Sequence, residues 1–396
     1  MGISNRVHEQ MGRGSWIRQM FEAGIALRQR LGEERVFDLS LGNPVVEPPQ
    51  EFRAELLRLA QHPVPGMHRY MPNAGYPETR AAVARQLAAE TGLPYQASDV
   101  VMTCGAGGGL NVVLRAIMDP GDEVIVLAPY FVEYLFYVEN HGGVPVVVDC
   151  DEAFNPDLAI LERSITKRTR AVLLNSPNNP TGVVYSAKLL DSLAELLRRK
   201  AHQHGKAIYI LSDEPYRKLV YDGLKYPFVQ HRYTPTVVAT SHSKDLALPG
   251  ERIGYVAVNP ELPDRGELVD AIVFCNRVLG FVNAPALMQH LVRSLQGVTV
   301  DVADYQRKRD FLYARLVGMG YQMTKPQGAF YMFPKSPMPD DRAFVERLLN
   351  HNVLVVPGVG FGKPGYFRIS YCLDDRVLEG ALDGFRAVAR ELGLTS

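Results

Sequence analysis

The densest chemistry in this sequence lies in Ser241-His242-Ser243-Lys244, which is followed by Arg252 in Gly250-Glu251-Arg252-Ile253-Gly254-Tyr255. A lysine amine can form an imine with an aldehyde, and neighbouring hydroxyls and a guanidinium can hold a phosphate. The group therefore suits an aldehyde cofactor that carries a phosphate. Taken singly, Lys244 reads as a solvated surface charge and Arg252 as a surface ion pair.

Three other segments carry reactive or turn-forming residues in suggestive places. Cys104-Gly105-Ala106-Gly107-Gly108-Gly109 opens a helical stretch, where backbone N–H groups can face a phosphate; alone, it is an ordinary tight turn. Ser176-Pro177-Asn178-Asn179-Pro180-Thr181-Gly182 is rich in turn formers and would pass as a plain loop. Asp213-Glu214-Pro215-Tyr216 offers a carboxylate and a phenol, although Asp213 could equally cap a helix.

The elements around these segments give them a common place. Short apolar runs at 100–103, 123–128, 144–149, 171–175, 207–212, 236–240 and 253–258 are mostly unbroken Val/Ile/Leu stretches, which suggests strands buried on both faces. Helical patterns at 108–118 and 187–204 lie between them. The alternation predicts an α/β fold with a mostly parallel seven-stranded sheet between helices. Ligands in such sheets bind beyond the carboxyl ends of the strands, and all the segments above follow strands at that end. It is their conjunction, in chain order at one end of one sheet, that makes a site.

A smaller α+β domain follows. Residues 286–318 read as long helices with Arg and Lys on the polar face. Strands at 329–333, 353–356 and 366–371 and helices at 341–350 and 376–392 complete it. Residues 1–47, set off by Pro44, Pro48 and Pro49, read as a segment crossing from the small domain to the large one. The expected division is 1–47, 48–290 as the large domain, and 291–396 as the small one. No internal repeat or low-complexity stretch is visible.

Composition narrows the class. The 396 residues are enough for two domains with a large core. Lys+Arg and Asp+Glu both number 43, so charge gives no support for nucleic-acid or membrane partners. The four cysteines, Cys104, Cys150, Cys275 and Cys372, are far apart. They predict no metal site or disulfide framework, and a reducing cytoplasm. Met1-Gly2-Ile3-Ser4-Asn5-Arg6 shows no apolar leader, and no apolar run approaches the ~20 residues of a membrane span.

The motif Ser-x-Ser-Lys-(x)7-Arg-x-Gly and the pair Asn-Pro-Thr-Gly and Asp-Glu-x-Tyr resemble the class I/II aminotransferases of pyridoxal-phosphate fold type I, the aspartate aminotransferase superfamily. The resemblance spans nearly the whole chain, from Ser40-Leu41-Gly42-Asn43-Pro44 through Tyr70 and Gly75-Tyr76-Pro77-Glu78-Thr79-Arg80 to Phe367-Arg368-Ile369-Ser370-Tyr371. It implies a pyridoxal 5′-phosphate enzyme that moves an amino group from an L-amino acid to a 2-oxo acid by a ping-pong course. Acidic amino acids with 2-oxoglutarate as acceptor are the prior for such an enzyme, and aromatic or branched-chain donors stay open.

It also implies roles, residue by residue. Lys244 would link to the cofactor aldehyde and later carry a proton between the substrate α-carbon and cofactor C4′. That role needs an amine whose pKa falls well below the ~10.4 of an exposed lysine. Asp213 would pair with the protonated pyridine nitrogen, and Asn179 and Tyr216 would bond the ring 3′-oxygen. Gly105, Ala106 and Gly107, with Ser241, Ser243 and Arg252, would hold the phosphate. Phe131, rather than Tyr130, would stack on the ring. Tyr70 would reach the phosphate of a neighbouring subunit, so a homodimer with shared sites is implied. Arg368, with Gly42 and Asn179, would take the substrate α-carboxylate.

The chain departs from the pattern in three places. Phe131 stands where tryptophan is usual in the aspartate enzymes. Gly107-Gly108-Gly109 replaces more polar phosphate-loop residues. No arginine matches the partner of a distal carboxylate in register, Arg277 being one residue off. A C–S lyase or decarboxylase on the same scaffold would share Lys244 and Asp213. A cofactor-sensing regulator would need a DNA-binding module, and the pattern begins near residue 40, leaving little room for one.

Overall fold

The computed structural model describes residues 2–12 and 16–394. Its centre is a seven-stranded sheet formed by β1 (Val100–Thr103), β2 (Glu123–Ala128), β3 (Val144–Asp149), β4 (Thr169–Asn175), β5 (Tyr209–Asp213), β6 (Thr236–Ser241) and β7 (Gly254–Val258). Across the sheet the order is β1-β7-β6-β5-β4-β2-β3. β3, β2, β4, β5 and β6 pair in parallel, while β7 runs antiparallel to both its neighbours, β1 and β6. The reversal matters for the site. It sets Gly254, at the start of β7, opposite both Thr103 and Ser241, at the carboxyl ends of β1 and β6.

The interior strands are buried on both faces, as their unbroken apolar runs require. In β2, Ile125 and Leu127 enter one core while Val124 and Val126 enter another on the opposite face. β3 departs from the expectation: Val144 and Val147 are exposed. It is one of the two edge strands and pairs only with β2, so Pro145 costs the sheet no interior hydrogen bond.

Two helices show how local sequence sets the flanking layers. Gly105–Ile117 starts directly after β1 and packs on β6 and β7. Ala187–His204 is started by Ser186, whose side chain accepts from the Leu189 N–H, and stopped by Gly205 in the left-handed region. Its apolar stripe buries Leu190, Leu193, Ala194, Leu196 and Leu197.

In the C-terminal part, Val356–Pro357, Phe367–Ser370 and Tyr331–Met332 form an antiparallel sheet in the order Val356–Pro357, Phe367–Ser370, Tyr331–Met332. The helices Val302–Gly318, Asp341–Asn350 and Asp375–Glu391 accompany it. Phe37–Asp38 pairs in parallel with Val353–Leu354, tying the N-terminal segment to this part. The expected strand 353–356 is therefore two strands in two sheets. The expected helices across 286–318 are Ala286–Val292 and Val302–Gly318, the second begun by Asp301, whose carboxylate accepts from the Ala303 and Asp304 N–H groups. Its cations do not all lie on a polar face: Arg309 is wholly buried, where it pairs with Asp222 and Asp310. Helices that were not anticipated include Asn5–Gly12, Trp16–Leu31, Gln50–Gln61, Pro77–Thr91, Glu133–Asn140, Leu158–Ser164 and Arg265–Val278.

Candidate active site

The carboxyl ends of β4, β5 and β6 and the start of β7 open on a cavity of about 290 Å³. Lys244 enters it from the short helix His242–Asp245 that follows β6. Its Nζ donates to the Gly42 carbonyl at 2.7 Å and lies 5.4 Å from the centre of the Phe330 ring. Burial pushes the amine down to about 8; Cys372 opposes that shift, and the positive charges of Arg368 and Arg252 add to it. A sizeable neutral fraction is therefore present near neutral pH.

Asp213 is the last residue of β5 and lies beside Asn175 of β4. Its Oδ2 accepts a hydrogen bond from the Tyr134 hydroxyl, while Oδ1 is buried with no partner among the described residues. Burial raises the carboxyl to about 7; the Tyr134 bond lowers it and Glu214 raises it further. Asn175 Nδ2 donates to the Asp213 carbonyl at 3.0 Å, and Asn175 Oδ1 accepts from the Asn179 N–H at 2.7 Å. One side chain thus locks the loop bearing Asn179 to the strand bearing Asp213. The Tyr216 and Tyr331 hydroxyls are 3.1 Å apart, and burial raises both phenols.

At a second end, Ala106 and Gly107 bring the start of the helix Gly105–Ile117 to the cavity, with Ser241, Ser243 and Arg252 around it. Gly105 has φ 72°, and a Cβ there would stand 2.7 Å from Arg252 Nη2, so only glycine suits the position. The helix start and the guanidinium together concentrate positive potential in one corner.

At the opposite end, Arg368 is 2% exposed. Its Nη1 donates to Asn179 Oδ1 at 3.0 Å and its Nη2 to the Ser40 carbonyl at 2.5 Å. The guanidinium lies 4.6 Å from the Tyr331 ring centre and 4.7 Å from that of Phe361. Its Nε is buried without a partner among the described residues. Gly42 lines the same end, and the Tyr331 hydroxyl fills the space a side chain at Gly42 would need.

The cavity therefore gathers Gly42, Ala106, Gly107, Phe131, Asn179, Asp213, Tyr216, Ser241, Ser243, Lys244, Arg252 and Arg368. Gly105 adjoins it beneath Arg252. Phe131 is half-buried and meets Tyr134 edge to face at 5.5 Å, whereas Tyr130 lies against Gly362 outside the lining. Two residues are not brought in. Tyr70 is 91% exposed and lines a separate depression with Met71 and Phe281. Arg277 is exposed, with its guanidinium over Phe274.

Sequence reasoning missed Tyr134, Tyr137, Asn175 and Tyr331, all of which line the cavity. Phe131, just before the helix Glu133–Asn140, and Tyr134 and Tyr137 within it recur at one-turn spacing, a signal that was available. The cysteines are unpaired. Among the described residues no cluster of His, Cys, Asp and Glu could hold a metal, and no helix is long and apolar enough to cross a membrane.

The residues fit pyridoxal 5′-phosphate on structural grounds: a buried amine, a buried acceptor without a partner at Asp213 Oδ1, and a cationic helix start. Comparisons with known proteins agree. The profile of "Aminotransferase class I and II" matches residues 34–385. The aspartate/prephenate aminotransferase of Thermus thermophilus is 37% identical over 365 residues, covering 90% of this chain and 90% of its own. The structure of an amino transferase from Eubacterium rectale superposes with a TM-score of 0.95 at 41% identity, covering 99% of each chain. The aspartate aminotransferase of Thermus thermophilus with maleate gives a TM-score of 0.86 at 32% identity over 98% of this chain and 100% of that one. This chain belongs to the class I and II aminotransferases, fold type I transaminases that work with pyridoxal 5′-phosphate.

Proposed function

We propose that the cavity transfers the amino group of an acidic L-amino acid to 2-oxoglutarate, with each lining residue in the role its surroundings favour. When bound, pyridoxal 5′-phosphate supplies an aldehyde that combines with amines and a ring that withdraws electrons from the substrate α-carbon. With that group bound, Lys244 Nζ would be the amine that holds its aldehyde carbon and, when free, the base that takes and returns the proton at the substrate α-carbon. Its lowered pKa supports both tasks. Asp213 Oδ1 holds the proton on the pyridine nitrogen. Asn179 and Tyr216 hydrogen-bond the 3′-oxygen, and Phe131 covers one face of the ring. The N–H groups at Gly105, Ala106 and Gly107, with Ser241, Ser243 and Arg252, hold the phosphate. Arg368, next to Gly42 and Asn179, grips the α-carboxylate.

The observation that carries this reading is the conjunction, in one cavity, of a lysine amine near pKa 8 with two buried groups lacking partners, Asp213 Oδ1 and Arg368 Nε. They match the cofactor nitrogen and a carboxylate. Acidic donors are supported by the named relatives, one of which was solved with maleate. Arg252 and Arg368 are the arginines of the lining and mark its two ends. A donor panel with 2-oxoglutarate tests the assignment. Glutamate should form, fastest with aspartate. Faster turnover of aromatic donors would overturn the donor class; release of pyruvate and ammonia without an acceptor would overturn the transfer itself.

We further propose that the working unit is a cytoplasmic homodimer in which Tyr70 serves the neighbour's phosphate. The exposure of Tyr70, and of Phe274 and Val278 on one helix, supports a covering copy. The grouping of residues 1–47 with the small domain is supported by the pairing of Phe37–Asp38 with Val353–Leu354, while a boundary at 290 would fall inside the helix Ala286–Val292. Sedimentation should give twice the chain mass of 44.1 kDa; a monomer at micromolar concentration would remove the shared-site proposal.

A further inference from the structure

We infer that Tyr137 is a phosphate-binding residue of this cavity, supplying from a neighbouring helix the hydroxyl that the glycine-rich loop lacks. The inference rests on reading the cavity as the pyridoxal 5′-phosphate site. Gly105, Gly107, Gly108 and Gly109 begin their helix with N–H groups but no polar side chain. The Tyr137 hydroxyl stands 2.9 Å from where a Cβ on Gly107 would lie, with its ring carbon at 3.6 Å. It therefore occupies the space a threonine or serine at position 107 would use. Tyr137 lines the cavity together with Ala106, Gly107 and Arg252.

The helix Glu133–Asn140 gives this position its meaning. Tyr134 and Tyr137 are three residues apart on one face. The first bonds Asp213 at the pyridine end, and the second reaches the helix start at the phosphate end. Two phenols on neighbouring positions thus bracket the length of the cofactor. Burial holds the Tyr137 phenol protonated, so it can donate to a phosphate oxygen.

The test compares two ligands on the full-length protein stripped of cofactor: pyridoxal 5′-phosphate and pyridoxal, which lacks the phosphate. Tyr137→Phe keeps the ring and should weaken pyridoxal 5′-phosphate about tenfold or more, as expected for a lost hydrogen bond to a charged group, and leave pyridoxal unchanged. Gly107→Ser alone should also weaken the phosphorylated ligand, because its Cβ meets the Tyr137 hydroxyl. In Tyr137→Phe the same serine should restore affinity. Equal loss for both ligands would reduce Tyr137 to packing, and no loss would end its role. If the unaltered protein failed to prefer the phosphorylated ligand, the cofactor reading itself would fall.

Discussion

Ser243, Lys244 and Arg252 reach the cavity from a single excursion of chain between β6 and β7. Arg368 reaches it from the antiparallel sheet of the C-terminal part, held by Asn179 and Ser40, which are 189 and 328 positions away in the chain. The first end is fixed by neighbouring strands of one sheet; the second is fixed by contacts between distant segments. Cofactor geometry thus rests mainly on the large sheet, with Gly42 touching Lys244 and Tyr331 touching Tyr216 from outside it. Substrate geometry depends on how the C-terminal part and the N-terminal segment sit against that sheet. Variants at the two ends should differ in which constant they change.

The largest effect is expected at Lys244. Lys244→Ala should lower turnover on the order of 10⁴-fold, since it removes both the linking amine and the proton carrier; near-normal steady-state rates would end the assignment. Asp213→Ala should cost kcat on the order of 10³-fold with a smaller loss of cofactor affinity, a split that titration and kinetics on one preparation can resolve. Arg368→Lys sits at the other end. It should raise KM for the amino acid about 10-fold to 100-fold while cofactor affinity stays put, because a lysine cannot reproduce the planar fork. Equal losses in both constants would mean that the two ends are not separable.

Two pH effects sharpen the comparison further. The borohydride-sensitive visible band that forms on adding cofactor to the stripped protein should appear faster as pH rises, with a midpoint near 8, because the neutral amine of Lys244 reacts. Tyr134→Phe removes a hydrogen bond that lowers the Asp213 carboxyl from where burial would set it. The carboxyl should then keep its proton to higher pH, and the acidic limb of cofactor affinity should move alkaline by less than about one unit. An unchanged limb would place the controlling group elsewhere.

The cofactor end was the more legible in the sequence. Its strands are continuous apolar runs, and each motif follows one of them, so chain order and the rule of carboxyl ends suffice. β1, β2 and β3 run over the expected residues. The tyrosines of the helix Glu133–Asn140 escaped because a tyrosine among apolar residues reads as core until its hydroxyl is seen to face Asp213 or Gly107. Asn175 escaped because it closes a strand, where its two hydrogen bonds to Asp213 and Asn179 depend on strand register. In the C-terminal part, Arg309 has the spacing of a surface cation, and it is Asp222, 87 residues away, with Asp310 and the Pro326 carbonyl, that makes its burial tolerable. Residues 353–356 look like one strand because switching sheets leaves no mark on an apolar sequence.

The reversed strand β7 has a metrical consequence. Its first residue faces the last residue of β6, so the chain leaves the sheet and returns to it at the same edge. Lys244 and Arg252 both lie within that pinned excursion, and the interval between them is set there, whatever the rest of the molecule does. In the proposed reading it is a built-in ruler for the reach from aldehyde to phosphate. Lengthening the loop between them should then harm the natural cofactor more than substrate recognition, and a homologue of the cofactor with a longer phosphate arm should be the ligand that a lengthened loop accepts best.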